Sequence, residues 1–142
     1  LSSAASDVYK RQAHDWNTSV TMASLACGFV IDTLLMVNNF RDREQDAISG
    51  KKTIVVRLGA RAGLILYFLL GLAACWSCFY FVTEGRLWAA ILPQIYLLFH
   101  ILTTMKMARI NRGKELNAIL GETSRNMLLF GILLTAGLLI PT

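Results

Sequence analysis

Charge is scarce in this chain of 142 residues: 16% are Asp, Glu, Lys or Arg against 55% hydrophobic, and the charges fall in clusters between long apolar stretches. That distribution excludes the evenly charged surface of an ordinary soluble domain and is the profile of a membrane protein. Cysteine is equally sparse. Three occur in all, and the one close pair, Cys75 and Cys78, forms a C-x-x-C inside an apolar run with no thioredoxin-like context, which removes redox and zinc readings. Cys27 reads as a small helix-packing residue. No phosphate-binding P-loop, no G-x-S-x-G and no internal repeat is present, so nucleotide-hydrolase and serine-hydrolase chemistry lack their motifs.

What is present is apolar length. A hydrocarbon core of about 30 Å needs roughly 20 mostly apolar residues per spanning helix. Four segments are candidates: Trp16 to Phe40, Ala62 to Val82, Leu87 to Met105, and Thr123 to Ile140. The first carries Asp32. The last becomes strongly hydrophobic only from Met127, so its opening turn, Glu122 to Asn126, belongs at the interface or against protein. The segments are too long and too evenly apolar for barrel strands, and backbone groups in lipid must be satisfied within their own segment. The expectation is an all-α, polytopic transmembrane bundle of about four spanning helices.

A net charge of +5 invites a nucleic-acid reading, but its placement follows membrane topology. Arg41, Arg43, Lys51, Lys52, Arg57 and Arg61 lie between segments one and two, and Lys106, Arg109, Arg112 and Lys114 between three and four. The turn between two and three, Thr83 to Arg86, holds one cation. The positive-inside rule puts both basic loops in the cytoplasm of a multi-pass protein of the cell membrane. Trp76, Trp88, Tyr67, Tyr80 and Tyr96 are candidate interfacial or pocket-lining rings.

Ser2 to Gln12 reads S-S-A-A-S-D-V-Y-K-R-Q, the look of a translated sequencing adapter. Residues 1–12 are therefore expected to be a non-native leader, set aside from the fold, with residues 13–142 a piece of a longer gene product.

The stretch that carries chemistry is Asn38 to Gly59, N-N-F-R-D-R-E-Q-D-A-I-S-G-K-K-T-I-V-V-R-L-G. Asn38, Asp42 and Asp46 are spaced by four, so a helix continuing through them stacks an amide and two carboxylates on one side. Mg²⁺ prefers oxygen, keeps several waters, and is typically held by one or two carboxylates plus substrate phosphates. Ser49 and Gly50 can end the helix, after which Lys51, Lys52 and Arg57 bring cations to a diphosphate bound there. Spacing alone does not separate this from a solvated helix end whose i,i+4 ion pairs contribute a few tenths of a kcal/mol each.

This stretch closely resembles the second aspartate-rich motif of the UbiA superfamily, in the N-N-x-R-D-x-x-x-D-x-x-x-G-K-x-T-x-x-V-R-x-G form of its dihydroxynaphthoate branch. Every fixed position is present from Asn38 to Gly59, and the resemblance runs on through E-T-S-R-N-M-L-L-F-G in the last segment. It implies a UbiA-type bundle in which Mg²⁺ bridges an allylic polyprenyl diphosphate to two aspartate-rich motifs, and an aromatic ring captures the allylic cation. Asp42 and Asp46 would be metal ligands and catalytic residues. Asn38 and Asn39 would support the metal or diphosphate, and Arg41, Lys51 and Arg57 the departing pyrophosphate.

The implied acceptor is dihydroxynaphthoate and the product demethylmenaquinone. The first aspartate-rich motif is missing, so the chain is expected to be the C-terminal half of the bundle and inactive alone. Alternatives are another aromatic acceptor used by a sister enzyme, or a non-catalytic membrane protein such as a transporter fragment. Asp32, about 10 Å deeper than Asn39 at 1.5 Å per residue, either lines the aromatic-substrate pocket or makes an interhelical contact. His100, beside Gln94 and a kink at Pro93, either reaches a cavity or packs between helices. Asn17-Thr18-Ser19 matches a glycosylation sequon but falls at a helix end.

Overall fold

The computed structural model describes residues 17–141; residues 1–12, the segment expected to be a leader, lie outside them. Among these described residues seven helices follow in order: α1 (Thr18–Ile48), α2 (Ile54–Leu58), α3 (Ala60–Cys78), α4 (Tyr80–Thr83), α5 (Leu87–Ile91), α6 (Gln94–Ile110) and α7 (Leu116–Leu139). The described residues contain no strand. The segments α3–α4 and α5–α6 each read through as one membrane-length unit, Ala60–Thr83 and Leu87–Ile110. Together with α1 and α7 they form an antiparallel four-unit bundle.

Among the described residues, three helical units are long and apolar enough to cross a membrane: Thr18–Ile48, Ala60–Thr83 and Leu87–Ile110. The fourth expected span has the length, 24 residues, but begins at Leu116 and gives its early turns to Glu122, Ser124, Arg125 and Asn126. Those polar turns lie partly against protein, as expected: Thr123 and Asn126 are buried. Leu25, Ile31, Leu35, Leu128 and Ile132 are exposed along the spans, which suits a lipid solvent and not water.

α1 starts on Asn17, whose side-chain oxygen caps the Val20 amide, so the sequon residue serves as a helix cap. It runs 31 residues, about 46 Å at 1.5 Å per residue, well beyond a hydrocarbon core of about 30 Å. The excess of about 16 Å goes naturally to the last turns, where Arg41 to Asp46 are charged or polar. Ser49 is the C-cap and Gly50 follows at φ +77, the left-handed stop expected of glycine after a helix.

Pro93 breaks the third unit, and the carbonyls at the break are recovered locally. The Gln94 side-chain amide donates to the carbonyls of Ala90 (2.9 Å) and Cys75 (3.1 Å), as lipid burial demands. At the bundle centre His100 is fully buried, stacked between Tyr67 and Tyr96 at centroid distances of 4.6 and 5.2 Å. Its Nε2 meets the Tyr67 carbonyl at 3.1 Å and its Nδ1 the Tyr96 hydroxyl at 3.0 Å. Both nitrogens are thus satisfied, and His100 is a helix-packing residue. Gly71 makes room for the ring: a Cβ there would stand 2.2 Å from His100 Cδ2.

Tyr67 and Tyr96 are core residues and not interfacial rings, because their hydroxyls find partners inside: Tyr67 pairs with Thr123 at 2.9 Å. Trp76 and Trp88 are exposed and fit the interfacial role. Cys75 and Cys78 are buried and form no disulfide, their thiols facing the Pro93 and Ala74 carbonyls.

Each end of the bundle is tied. At one, Ser19 hydrogen-bonds Glu84, and Arg86 donates to the Leu138 carbonyl at 3.1 Å. At the other, Arg43 reaches Asn111 and Arg41 reaches Asn117. The two basic clusters of the sequence therefore share one end.

Candidate functional site

The carboxylates stand on the projecting end of α1, which is helical through Asn38, Asp42 and Asp46 without interruption. Phe40 and Val37 on the adjoining face are fully buried against Val55, Tyr67 and Met107, and this anchorage sets which way the polar side looks. Gly63 allows α3 close to it, its notional Cβ 3.1 Å from Phe40.

Asp46 is buried, and its Oδ2 accepts no hydrogen bond. Lys51 Nζ stands 3.4 Å from that oxygen, an ion-pair distance without hydrogen-bond geometry. A carboxylate oxygen removed from water and left without a hydrogen bond costs on the order of 1–3 kcal/mol or more, a cost that the Lys51 ammonium offsets only in part. Asp42 is forked by Arg41, Nε to Oδ1 at 2.7 Å and Nη2 to Oδ2 at 2.8 Å, the bidentate geometry of a strong charge-assisted pair.

Asn38 and Asn39 are half-buried just before them, and Arg57 is exposed in the last turn of α2. Thr53 caps α2 by accepting from the Val56 amide at 3.2 Å, so the G-K-x-T tail ends in a helix cap. Asp32 is apart from this group. It is exposed on α1 beside a shallow groove with Thr21, Ser24, Gly28 and Phe29, about 15 Å along the helix from Asp42 at 1.5 Å per residue.

Among the described residues no three His, Cys, Asp or Glu side chains form a metal cage. Two carboxylates on successive turns, one with an orphaned buried oxygen, do fit Mg²⁺ as it is usually held, by few protein carboxylates with the rest of its shell from water and substrate phosphate. Soft or nitrogen ligands are lacking here, which disfavours zinc.

A second feature is an apolar groove of about 730 Å³ between α1 and α7, lined by Cys27, Val30, Met127, Phe130, Gly131 and Thr135 among others. Sequence reading did not anticipate it, nor the roles of Arg43, Asn111 and Asn117 described below.

Two curated relatives match. The 1,4-dihydroxy-2-naphthoate octaprenyltransferase of Haemophilus influenzae is 32% identical over 133 residues, 93% of this chain and 43% of that protein. The enzyme of the same name from Escherichia coli is 33% identical over 79 residues, 54% of this chain and 26% of that protein. The chain thus spans less than half the length of either. No solved structure matches it. The UbiA prenyltransferase family model matches residues 4–132, and this chain belongs to the UbiA prenyltransferase family.

Proposed function

We propose that the complete protein transfers a prenyl group from an allylic polyprenyl diphosphate to 1,4-dihydroxy-2-naphthoate, giving demethylmenaquinone in its reduced, quinol form, and that this chain is its later half and is inactive without the earlier one. The acceptor rests on the two relatives named as naphthoate octaprenyltransferases and on the N-N-x-R-D form of the motif. The allylic C–O bond breaks, its electron pair leaving with pyrophosphate, and the ring attacks the allylic cation and gives up its carboxyl group as CO₂.

The observation that carries the reading is Asp46 Oδ2, buried without a hydrogen bond beside Lys51, one turn from Asp42 on a helix end that projects from the membrane. Asp42 and Asp46 would hold Mg²⁺, which when bound supplies positive charge to offset the negative charge growing on the leaving diphosphate. Lys51 and Arg57 add charge to the same end and steer the diphosphate to it. Asn38 and Asn39 offer amide donors to its oxygens. The apolar groove between α1 and α7 suits the isoprenoid tail. By the positive-inside rule this end faces the cytoplasm, where a water-soluble naphthoate would enter.

Asp42→Ala and Asp46→Ala in the complete protein test this. Each is expected to abolish prenyl transfer while membrane insertion and yield persist. Activity retained by both variants would remove the metal-site reading and leave a membrane protein whose charged loop serves topology alone.

A further inference from the structure

The carboxylate end of α1 is not held by α1 alone. Arg41 commits three nitrogens: Nε and Nη2 to the two oxygens of Asp42, and Nη1 to Asn117 Oδ1 at 3.1 Å. Neighbouring residues on a helix point about 100° apart and do not ordinarily face each other, so Arg41 meets Asp42 only by bending back along the helix. A solvated long side chain loses rotamer entropy in such a pose. The contact that holds its far side comes from the first turn of α7.

A second arm fixes the same junction. Arg43 Nη1 donates to the Phe40 carbonyl at 2.6 Å and Nη2 to the Asn111 carbonyl at 2.6 Å, with the guanidinium 4.5 Å above the Phe40 ring. Asn111 ends α6 at φ 56 and ψ −37, and the Arg112 amide donates to the Ile110 carbonyl at 2.6 Å across it, a tight γ-turn that carries the chain out of the helix. The α6–α7 connection thereby grips α1 at Arg41 and Arg43, on either side of Asp42.

We propose that Asn117 is a positioning residue for the metal site: by holding Arg41 it sets the plane of the Asp42 carboxylate. A carboxylate has about four lone-pair sites, so the fork to Arg41 uses one on each oxygen and leaves one on each for a cation in a fixed direction. The inference rests on the reading that Asp42 holds Mg²⁺. Asn117 itself touches neither metal nor substrate and acts through Arg41.

The test compares Asn117→Leu with Asn117→Asp in the complete protein. Leu removes the acceptor at similar volume, whereas Asp keeps an oxygen for Arg41. Asn117 is exposed, so neither change disturbs the core. The readouts are the Mg²⁺ concentration for half-maximal turnover, Mn²⁺ binding by electron paramagnetic resonance with an unreactive prenyl diphosphate analogue present, and the melting temperature.

Asn117→Leu is expected to raise half-saturating Mg²⁺ and weaken Mn²⁺ binding by about tenfold, the usual effect of removing a group that orients a ligand. Asn117→Asp should stay near wild type, with melting unchanged in both. A Leu variant with wild-type metal response would overturn the positioning role alone, as would an Asp variant equally impaired. Turnover by the wild type without divalent metal would remove the metal reading and this inference together.

Discussion

Lys51 Nζ stands 3.4 Å from Asp46 Oδ2, a buried carboxylate oxygen that accepts no hydrogen bond. A charge kept in that condition costs stability, and proteins tolerate the cost where function needs it. Asp46→Asn removes the charge while keeping the shape. It should raise the melting temperature of the metal-free protein and lower kcat/KM at least 10²-fold, about 3 kcal/mol of transition-state stabilisation. Thermal unfolding in detergent and a prenyl-transfer assay on the same preparation check both halves.

Gly71 lies against the His100 ring, and a Cβ there would stand 2.2 to 2.8 Å from three ring atoms. The ring cannot withdraw without giving up its bonds to Tyr96 and the Tyr67 carbonyl. Gly71→Ala is therefore expected to destabilise by about 1–3 kcal/mol, the range for overpacking a filled core. Denaturant titration in mixed micelles measures it, and Gly121→Ala, where the added methyl meets nothing within 4 Å, is the control.

Gln94 recovers two carbonyls at the Pro93 break. Gln94→Leu leaves the Ala90 and Cys75 carbonyls without that donor and should cost roughly 1–3 kcal/mol. Prenyl transfer at low temperature should survive, because the break is remote from Asp42. A melting curve and an activity assay separate the two effects.

Gly131 lines the apolar groove and has open space where a side chain would begin. Gly131→Phe should fold normally yet fill part of the groove. The expected outcome is a loss of activity that grows with the length of the prenyl donor, read by comparing farnesyl with longer diphosphates.

The helical course of α1 through Asp46 was legible in the sequence, because spacing by four and the Ser49-Gly50 stop are local signals that packing here did not override. The polar opening of the last unit was legible too, since Glu122, Ser124, Arg125 and Asn126 interrupt an otherwise apolar run. Its start at Leu116 was not: the turns from Leu116 to Gly121 bury Leu116 and Ile119 against the Phe40 cluster, and that tertiary gain leaves no local mark.

Tyr67 and Tyr96 were open in the sequence to an interfacial or a pocket-lining place, because tyrosine suits both. Their inward placement depends on Thr123 and His100, which come from other helices or from the next turn. For the site, spacing put Asp42 and Asp46 on one side of the helix, and the resemblance to the UbiA motif, which spacing alone could not replace, singled them out as expected metal ligands. The pairings that set its geometry, Arg43 with Asn111 across 68 positions and Arg41 with Asn117 across 76, exist only after the bundle closes. Asp32 stays on the same helix but away from the carboxylate pair, about 15 Å down the axis.

Mn²⁺ titration of the complete protein, followed by electron paramagnetic resonance in the presence of an unreactive prenyl diphosphate, asks the central question most directly. The account predicts a tight, diphosphate-dependent Mn²⁺ signal in the wild type that falls at least tenfold in affinity in Asp42→Asn and Asp46→Asn. A wild-type signal that both variants reproduce unchanged would contradict it.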